Sequence, residues 1–182
     1  MKSAFPVKCL FGFNVAAVTE DDFIHTVVSW AGKDAGRPRL VGYLNAHTVN
    51  LSYREPEYRL LLNEMDLLYA DGMSVVKASR RLESPLPERV NAADFLHRFL
   101  WACRDEKRRV ALVGSRPDVV KKCARKLEAD IPGWKFCAVH HGHFAFGSSA
   151  EKRLLDGLRR SRADIVLTGM GSPRQETWAV EK

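Results

Sequence analysis

The chain alternates short apolar runs with longer amphipathic segments. The apolar runs predict buried strands, and the amphipathic segments between them predict helices. The predicted strands cover residues 7–13, 40–44, 66–70, 109–113, 135–140 and 164–168. The predicted helices cover residues 19–32, 48–64, 73–82, 92–106, 117–129 and 149–160, and a last one has Pro173 in its first turn. Because strands and helices alternate, the pattern indicates an α/β fold with a largely parallel sheet flanked by helices.

Several predicted helices begin with residues that favour a helix start. Thr19 is followed by three acidic residues that suit the positive end of a helix. Asn91 is a capping residue, Ser148 and Glu151 form a capping box, and Pro117 suits a first helical turn. These signals support the helix assignments independently of the hydrophobic pattern.

Polar and glycine residues follow the predicted strands. In parallel α/β sheets, ligands bind beyond the carboxyl ends of the strands. We therefore expect the fold to gather onto one edge the residues that follow each strand. They are Asn45 and His47, Asp71 and Gly72, Gly114 and Ser115, His140–His143, and Gly169–Gln175.

Asp71-Gly72 directly follows a predicted buried strand. Asp-Gly is a common turn pair, so an ordinary turn is one interpretation. The other is a carboxylate at the edge of the sheet that accepts a proton from an attacking hydroxyl group. The spacing alone leaves both open.

Two glycine-containing loops and one arginine are candidate anion ligands. Gly114 leads into a helix whose first amides can bind phosphate oxygens, although the loop lacks a complete phosphate-binding motif and also fits a plain tight turn. In the second loop, Gly171 permits close approach, Arg174 can pair with phosphate, and Gln175 can bind a sugar or a base. That loop also fits an ordinary turn, and Arg89 also fits a surface arginine.

Composition and charge narrow the classes of function. The chain has 182 residues, is 46% hydrophobic and 28% charged, and carries a net charge of +7. This charge suggests nucleic acid, an anionic membrane surface or a phosphorylated small molecule as partner. No nucleic-acid motif is present, which argues against nucleic acid. No apolar run is long enough to span a bilayer, and the first residues do not fit a signal peptide.

The cysteines and histidines give no metal signature. The four cysteines lack Cys-x-x-Cys spacing, which predicts free thiols and a reducing, cytoplasmic setting. His140, His141 and His143 could form a metal tract, but no carboxylate stands at ligand spacing, so a strand end is the preferred interpretation. We expect no cofactor and no metal.

Four segments together resemble the WecG/TagA/CpsF family of bacterial glycosyltransferases. They are YLNAHTVNL from Tyr43, YADGMSVV from Tyr69, ERVNAAD from Glu88 and GMGSPRQETW from Gly169. Their order and spacing fit, and the resemblance covers nearly the whole chain. It implies a Rossmann-like fold and metal-independent, inverting transfer of a sugar from a UDP-sugar to a polyprenyl-diphosphate-linked acceptor at the inner face of the cell membrane. The transferred sugar would be N-acetylmannosamine, its uronic acid or a hexose, for cell-surface polysaccharide.

The resemblance also assigns roles to single residues. It implies Asp71 as the general base and places Asn45, Arg89 and Gln175 near the donor, where Gly114 and Gly171 could add backbone contacts. Tyr43 and His47 are weaker candidates for acceptor binding or positioning. The family often has threonine where Tyr43 stands. The resemblance also allows a homo-oligomer.

The end of the chain departs from the family pattern. Family chains continue past the last segment into more core and a basic C-terminal appendage, whereas this sequence stops at Lys182 inside a predicted helix. We expect residues 1–182 to form a single glycosyltransferase domain without that appendage.

Two alternative functions remain. One is a non-catalytic UDP-sugar-binding module. The other is a nicotinamide-dependent oxidoreductase, and the missing Gly-x-Gly-x-x-Gly motif argues against it.

Overall fold

A computed structural model describes residues 5–32 and 36–182, within which the chain forms seven strands and eight helices. The strands are β1 (Val7–Leu10), β2 (Phe13–Ala16), β3 (Val41–Leu44), β4 (Leu67–Ala70), β5 (Val110–Gly114), β6 (Ala138–His140) and β7 (Ile165–Gly169). The helices are α1 (Glu20–Trp30), α2 (Ala46–Arg54), α3 (Pro56–Asn63), α4 (Met73–Arg81), α5 (Ala92–Asp105), α6 (Pro117–Asp130), α7 (Ser149–Ser161) and α8 (Arg174–Glu181).

The described strands pair into three sheets. β3 and β4 are parallel, with Val41 opposite Leu67, and β5 lies between β6 and β7 in a second parallel sheet. β1 and β2 form an antiparallel pair. The predicted α/β class with parallel strands flanked by helices is therefore confirmed. The parallel strands lie in two sheets, β3 with β4 and β6 with β5 and β7.

The chain divides into two compact units. Unit 1 contains residues 5–27, 36–96 and 176–182, and unit 2 contains residues 28–32 and 97–175. Unit 1 holds β1 to β4 with α2, α3 and α4, and unit 2 holds β5 to β7 with α6 and α7. The expectation of a single domain remains a prediction.

The core of unit 1 is built from apolar residues of its strands and of the buried faces of its helices. Buried side chains from the strands pack against buried side chains from the helices. This packing holds the ends of the strands in place. The buried cluster comprises Leu10, Phe13, Val15, Leu44, Val49, Tyr58, Leu62, Leu68, Ala70, Val75, Val76 and Leu86.

The first predicted strand, residues 7–13, is in fact a hairpin. Phe11 and Gly12 have φ angles of 55° and 77° and form a two-residue turn between β1 and β2. Positive φ at both central residues gives the turn a twist that matches the flanking strands. The apolar pattern runs on through this turn, so hydrophobicity alone did not reveal it.

The predicted helix from 48 to 64 is two helices. Glu55 adopts an extended conformation (φ −123°, ψ 95°) between α2 and α3, and Pro56 is the first residue of α3. The proline ring disfavours a helical conformation for the residue before it, so the helix ends and restarts at this point.

The predicted helix starts are largely confirmed. The Oγ1 of Thr19 accepts a hydrogen bond from the Asp22 amide at 3.2 Å, and the Oγ of Ser148 accepts one from the Glu151 amide at 3.2 Å. The Glu151 carboxylate accepts from Gly147 at 2.7 Å, one residue before the expected partner. α6 begins at Pro117 as expected.

Two aspartates join neighbouring strands at their amino ends, one in each unit. Asp66, before β4, accepts from the Leu40 amide at 2.8 Å, and Asp164, before β7, accepts from the Arg109 amide at 2.8 Å. Burial raises the pKa of Asp66, but hydrogen bonds from Arg37 and Leu40 outweigh it and hold that pKa below its usual value. These carboxylates therefore have a structural role.

Gly114 lies at the carboxyl end of β5, close to the backbone of β7. A Cβ atom at Gly114 would stand 2.4 Å from the Gly169 carbonyl oxygen, which is backbone and cannot rotate away. Gly157 in α7 is a contrasting position, because a Cβ atom there would meet nothing within 4 Å.

Substitution of Gly114 by alanine should therefore destabilise the protein by about 1–3 kcal/mol, the usual cost of forcing extra atoms into a packed site. The matched control Gly157→Ala should stabilise it by about 0.5–1 kcal/mol, because alanine loses less backbone freedom than glycine in a helix. Urea unfolding followed by circular dichroism measures both. Equal stabilities for the two variants would contradict the close approach seen here.

Candidate functional site

Asp71 lies at the carboxyl end of β4, and two asparagine amides bind its carboxylate. Its backbone amide donates to the Leu44 carbonyl at 2.9 Å, which holds it beside the end of β3. Asn45 Nδ2 donates to Asp71 Oδ2 at 3.1 Å, and Asn91 Nδ2 donates to Asp71 Oδ1 at 2.6 Å. Within unit 1, the structure thus brings together the predicted Asn45 and Asp71 and adds Asn91.

Asn45 serves a helix and the carboxylate at once. It is the N-cap of α2: its Oδ1 accepts from the Thr48 amide at 3.1 Å, and the Thr48 hydroxyl accepts from the Asn45 amide at 2.9 Å. Because the amide oxygen faces the helix, the amide nitrogen faces Asp71. Gly72 allows this approach, since a Cβ atom there would stand 3.1 Å from Asn45 Cβ.

Asn91 is used in the same way. Its Oδ1 accepts from the Ala93 amide at 2.9 Å at the start of α5, which leaves Nδ2 to donate to Asp71. The Val90 amide donates to the Ala70 carbonyl at 2.9 Å, so this segment lies beside the end of β4. The neighbouring Glu88 accepts from the Glu20 amide at 2.6 Å and thereby holds the start of α1.

The two amides orient the carboxylate but leave some of its hydrogen-bond acceptor positions free. A carboxylate offers about four lone-pair positions over its two oxygens. The Asn45 and Asn91 side chains occupy one on each oxygen. Asp71 is half-buried, so a hydroxyl group that enters from solvent can still find an acceptor in a defined orientation. This arrangement suits a proton acceptor.

Aromatic rings pack around Tyr69, two residues before Asp71. The ring centroids of Phe23 and Tyr69 lie 4.6 Å apart, and those of Phe23 and Phe95 lie 4.9 Å apart. Burial raises the pKa of the Tyr69 phenol, and the charge of Asp71 and the neighbouring Tyr43 raise it further. Tyr69 therefore stays neutral at physiological pH.

The other predicted residues of unit 1 lie outside the hydrogen bonds to Asp71. The half-buried Tyr43 ring lies 6.3 Å from the Tyr69 ring, and His47 is exposed in the first turn of α2. Arg89 forms an ion pair with Asp94, and its side chain is 35% exposed. Their proposed roles in binding substrate remain predictions.

In unit 2, Ser115 links the ends of all three strands. Its amide donates to the Gly169 carbonyl at 2.9 Å, and its carbonyl accepts from the Gly142 amide at 3.0 Å. To make both bonds, Ser115 adopts a left-handed conformation with φ of 50°, which is uncommon for a residue with a side chain. Such strained positions cluster at functional sites.

Gly171 and Gln175 bind each other at the start of α8. The Gly171 amide donates to Gln175 Oε1 at 3.1 Å, and the Gln175 amide donates to the Gly171 carbonyl at 3.0 Å. The helix starts at Arg174, so Pro173 precedes it. The prediction that Pro173 lies in the first turn of this helix is therefore wrong. In this arrangement, the Gly171 and Ser115 amides already have protein acceptors.

Arg174 carries a fixed positive charge in unit 2. Its Nε donates to the Gly142 carbonyl at 3.3 Å, and Nη2 donates to the carbonyls of Gly142 and Phe144. The guanidinium also lies over the rings of Phe144 and Phe146, at 5.2 and 4.5 Å. Among the residues that the structure describes, Arg174 has no carboxylate partner and its Nη1 has no acceptor.

These groups line a cavity of about 480 Å³ at the carboxyl ends of β5, β6 and β7. Ligand pockets commonly have volumes of about 300–1,000 Å³. Ser115 and Gly169, which the sequence placed at strand ends, are among its lining residues, and no carboxylate lines it. Its lining residues are Ser115, Gly142, His143, Phe144, Ala145, Gly169, Met170 and Arg174. With Arg174 as its charged member, the cavity favours an anionic ligand.

The histidine tract lies at the end of β6, as preferred from the sequence. The His140 and His141 ring centroids lie 4.4 Å apart. Burial lowers the pKa of His141, and the neighbouring His140, His143 and Lys121 lower it further.

Across residues 5–32 and 36–182, no three metal-ligating side chains are grouped to hold a metal ion. No helix in the same residues is long and apolar enough to cross a bilayer.

Comparison with known proteins places this chain in a family. Residues 8–182 match the sequence profile of the glycosyl transferase WecG/TagA/CpsF family. The chain belongs to this family. The resemblance carried by the four sequence segments is therefore confirmed.

Relatives in Staphylococcus aureus share this family. The proteins of strains NCTC 8325 / PS 47 and COL are named N-acetylglucosaminyldiphosphoundecaprenol N-acetyl-beta-D-mannosaminyltransferase. Each is 30% identical to this WecG/TagA/CpsF chain over 134 residues, which is 74% of the chain and 51% of the relative. The protein of strain MRSA252 has the same name and is 29% identical over the same length. The chain thus spans about half the length of the curated relatives it matches.

Sequence reasoning missed one residue of the Asp71 site. Asn91 was interpreted only as a helix cap, although an asparagine cap has an amide nitrogen that must point away from its helix. The choice of asparagine at this cap was the signal for a second role. Serine or threonine could cap the helix equally well but has no side-chain nitrogen to donate to a carboxylate.

Two substitutions of Asn91 should separate its roles in this WecG/TagA/CpsF chain. Asn91→Ala loses the cap and should cost about 1 kcal/mol at any pH. Asn91→Asp retains the cap but sets a second carboxylate against Asp71, so it should be destabilised at pH 7.5. Its stability should return as the pH falls, because protonation of one carboxylate supplies an O–H donor.

Thermal unfolding of the wild type and both variants measures this difference in pH dependence. The measurements run from about pH 4.5, near the ordinary pKa of a carboxyl group, to about pH 8. A parallel pH dependence for the Ala and Asp variants would show that Asn91 only caps α5.

Proposed function

We propose that this protein transfers a sugar from a UDP-sugar to a polyprenyl-diphosphate-linked acceptor, with inversion at the anomeric carbon. The sugar would be N-acetylmannosamine, its uronic acid or a hexose, and the product would feed cell-surface polysaccharide. Family membership and the names of the S. aureus relatives support this class of donor and acceptor chemistry. The observation that carries the proposal is the oriented carboxylate of Asp71, which retains free lone pairs.

The reaction requires one proton acceptor and one stabilised leaving group. An acceptor hydroxyl would donate its proton to Asp71 as its oxygen forms a bond to the anomeric carbon. The bond from that carbon to the diphosphate would break at the same time, from the opposite face, and UDP would leave as an anion. General-base catalysis of this kind contributes about 10²–10⁴-fold to a rate.

The unit 2 cavity is suited to the leaving UDP. Its positive charge comes from Arg174, which two carbonyls and two rings hold in place, and a fixed charge costs little reorganisation during reaction. Ser115 also lines the cavity. We assign this cavity to the diphosphate of the donor and retain Asn45, Arg89, Gly114, Gly171 and Gln175 as donor-site residues.

The remaining parts of the proposal concern acceptor and location. Tyr43 and His47 would contact or position the acceptor, as the sequence resemblance implies. The protein would act without a cofactor at the cytoplasmic face of the membrane, as a peripheral protein drawn to anionic lipid. Self-association into a homo-oligomer is compatible with this location.

Replacement of Asp71 by asparagine should lower the rate of sugar transfer by about 10²–10⁴-fold, because the base is lost. The test is transfer from radiolabelled UDP-sugars to a polyprenyl-diphosphate-linked N-acetylglucosamine, with UDP binding measured by calorimetry. UDP binding should persist, since Asp71 is not part of the unit 2 cavity.

Asp66→Asn is the matched control for Asp71→Asn. It removes a carboxylate from the other end of the same strand, where Asp66 binds Arg37 and Leu40. It should lower the thermal stability yet leave turnover near normal. Near-normal turnover in Asp71→Asn would refute the base assignment, and UDP binding without transfer by the wild type would favour the non-catalytic binding module.

Substitution of Arg174 by glutamine should weaken UDP binding by about ten- to a hundredfold, the effect of losing a charge-assisted hydrogen bond. Calorimetric titration with UDP measures the dissociation constant. The control is Arg160→Gln, which removes an equal charge from an exposed position of α7. Equal UDP affinity in the Arg174 and Arg160 variants would exclude the unit 2 cavity as the diphosphate site.

A further inference from the structure

One exposed face of α4 carries only positive charge and apolar surface. At the helical rotation of 3.6 residues per turn, Met73, Lys77, Arg80 and Arg81 fall within one arc. All four are exposed, whereas Val75, Val76 and Ser79 on the opposite side are buried. We call Met73, Lys77, Arg80 and Arg81 the α4 basic face.

The charge of this face is not neutralised within the protein. α4 contains no acidic residue, and within residues 5–32 and 36–182 neither Lys77, Arg80 nor Arg81 makes an ion pair. The basic helix α6 differs, because its Lys126 pairs with Asp130 at 3.6 Å and it also carries Asp118 and Glu128. The α4 basic face is thus the stronger site for a polyanion.

An apolar side chain accompanies these charges. Met73 at the start of α4 is 47% exposed, whereas Leu82 after the helix is rotated about 180° from Met73 and lies off this face. A helix with cations and an exposed apolar residue on its outer side is suited to the boundary of a lipid bilayer, where the apolar group enters and the cations meet phosphates. A soluble polyanion would use the cations but not the apolar group.

The position of α4 connects this face to the candidate base. Gly72 is the N-cap of α4, so the helix begins two residues after Asp71. The nine residues of α4 span roughly 13 Å at about 1.5 Å per residue. The buried Val75 and Val76 belong to the same core as Leu44 and Ala70, the last residues of β3 and β4. The α4 basic face and the Asp71 carboxylate therefore belong to one rigid part of unit 1.

We propose that the α4 basic face is the surface by which this protein docks on a membrane rich in anionic lipid. The inference rests on the proposed function, since a polyprenyl-linked acceptor presents its reacting hydroxyl group close to a bilayer surface. Docking through α4 holds Asp71 near that surface while the rest of the protein stays in water. The cations attract anionic headgroups, and Met73 enters the interface.

The test compares two triple variants of the full chain. Lys77→Gln, Arg80→Gln and Arg81→Gln together remove the charge of the α4 basic face. Lys122→Gln, Arg125→Gln and Lys126→Gln together remove the same charge from an exposed face of α6. Both variants have the same net charge, so a difference between them reports position rather than total charge.

Binding is measured by co-sedimentation with vesicles of equal parts phosphatidylglycerol and phosphatidylcholine, and with vesicles of phosphatidylcholine alone. The wild type should bind the anionic vesicles, and the α4 variant should bind them at least about tenfold more weakly. The α6 variant should stay within about threefold of the wild type. Thermal unfolding checks that each variant is folded, and Met73→Ser tests the apolar contribution without changing charge.

Each result decides the proposal. Equal losses in the α4 and α6 variants, unchanged binding of the α4 variant, or equal wild-type binding to neutral vesicles would each overturn it. Vesicle binding needs neither donor nor turnover, so the two proposals fail separately. Binding that depends on α4 without sugar transfer would refute only the function, and transfer with binding indifferent to α4 would refute only the docking surface.

Discussion

The paired hydrogen bonds from Asn45 and Asn91 to the Asp71 carboxylate are the interaction on which the candidate site depends. Each asparagine uses its oxygen to cap a helix and its nitrogen to hold the carboxylate. Hydrogen bonds to charged groups contribute about 1.5–3 kcal/mol each. The starts of α2 and α5 and the end of β4 therefore support one another at a single charged group.

Carboxylates at opposite ends of the same sheets have different tasks. Asp66 and Asp164, at the amino ends, bind backbone amides of the neighbouring strands and thereby complete the sheets. Asp71, at a carboxyl end, binds side-chain amides and keeps acceptor capacity for a ligand. Close backbone approach at Gly72 and Gly114 lets the carboxyl ends draw together in each unit. The fold thus separates the ends that maintain the sheets from the ends available for chemistry.

The sequence allowed most helices, the parallel strands and the placement of Asn45 and Asp71 at one sheet edge to be predicted, because these follow from periodicity and from the strand-end rule. The hairpin at Phe11 was missed because its apolar pattern continues through the turn. The second role of Asn91 was missed because a cap describes only the side-chain oxygen. The cavity around Arg174 depends on carbonyls of a distant loop, and neither spacing nor composition predicts which carbonyls an arginine will meet.

The shared use of the asparagines also links the geometry of the site to the fraying of helix ends. Local opening of a helix terminus requires far less free energy than global unfolding. When the first turn of α2 or α5 opens, the Asn45 or Asn91 amide loses its orientation, and one of the two hydrogen bonds that orient the carboxylate is lost. On heating, the preorganisation of Asp71 is therefore lost at a lower temperature than the fold itself, so the heat resistance of the site is set by two helix starts rather than by the core.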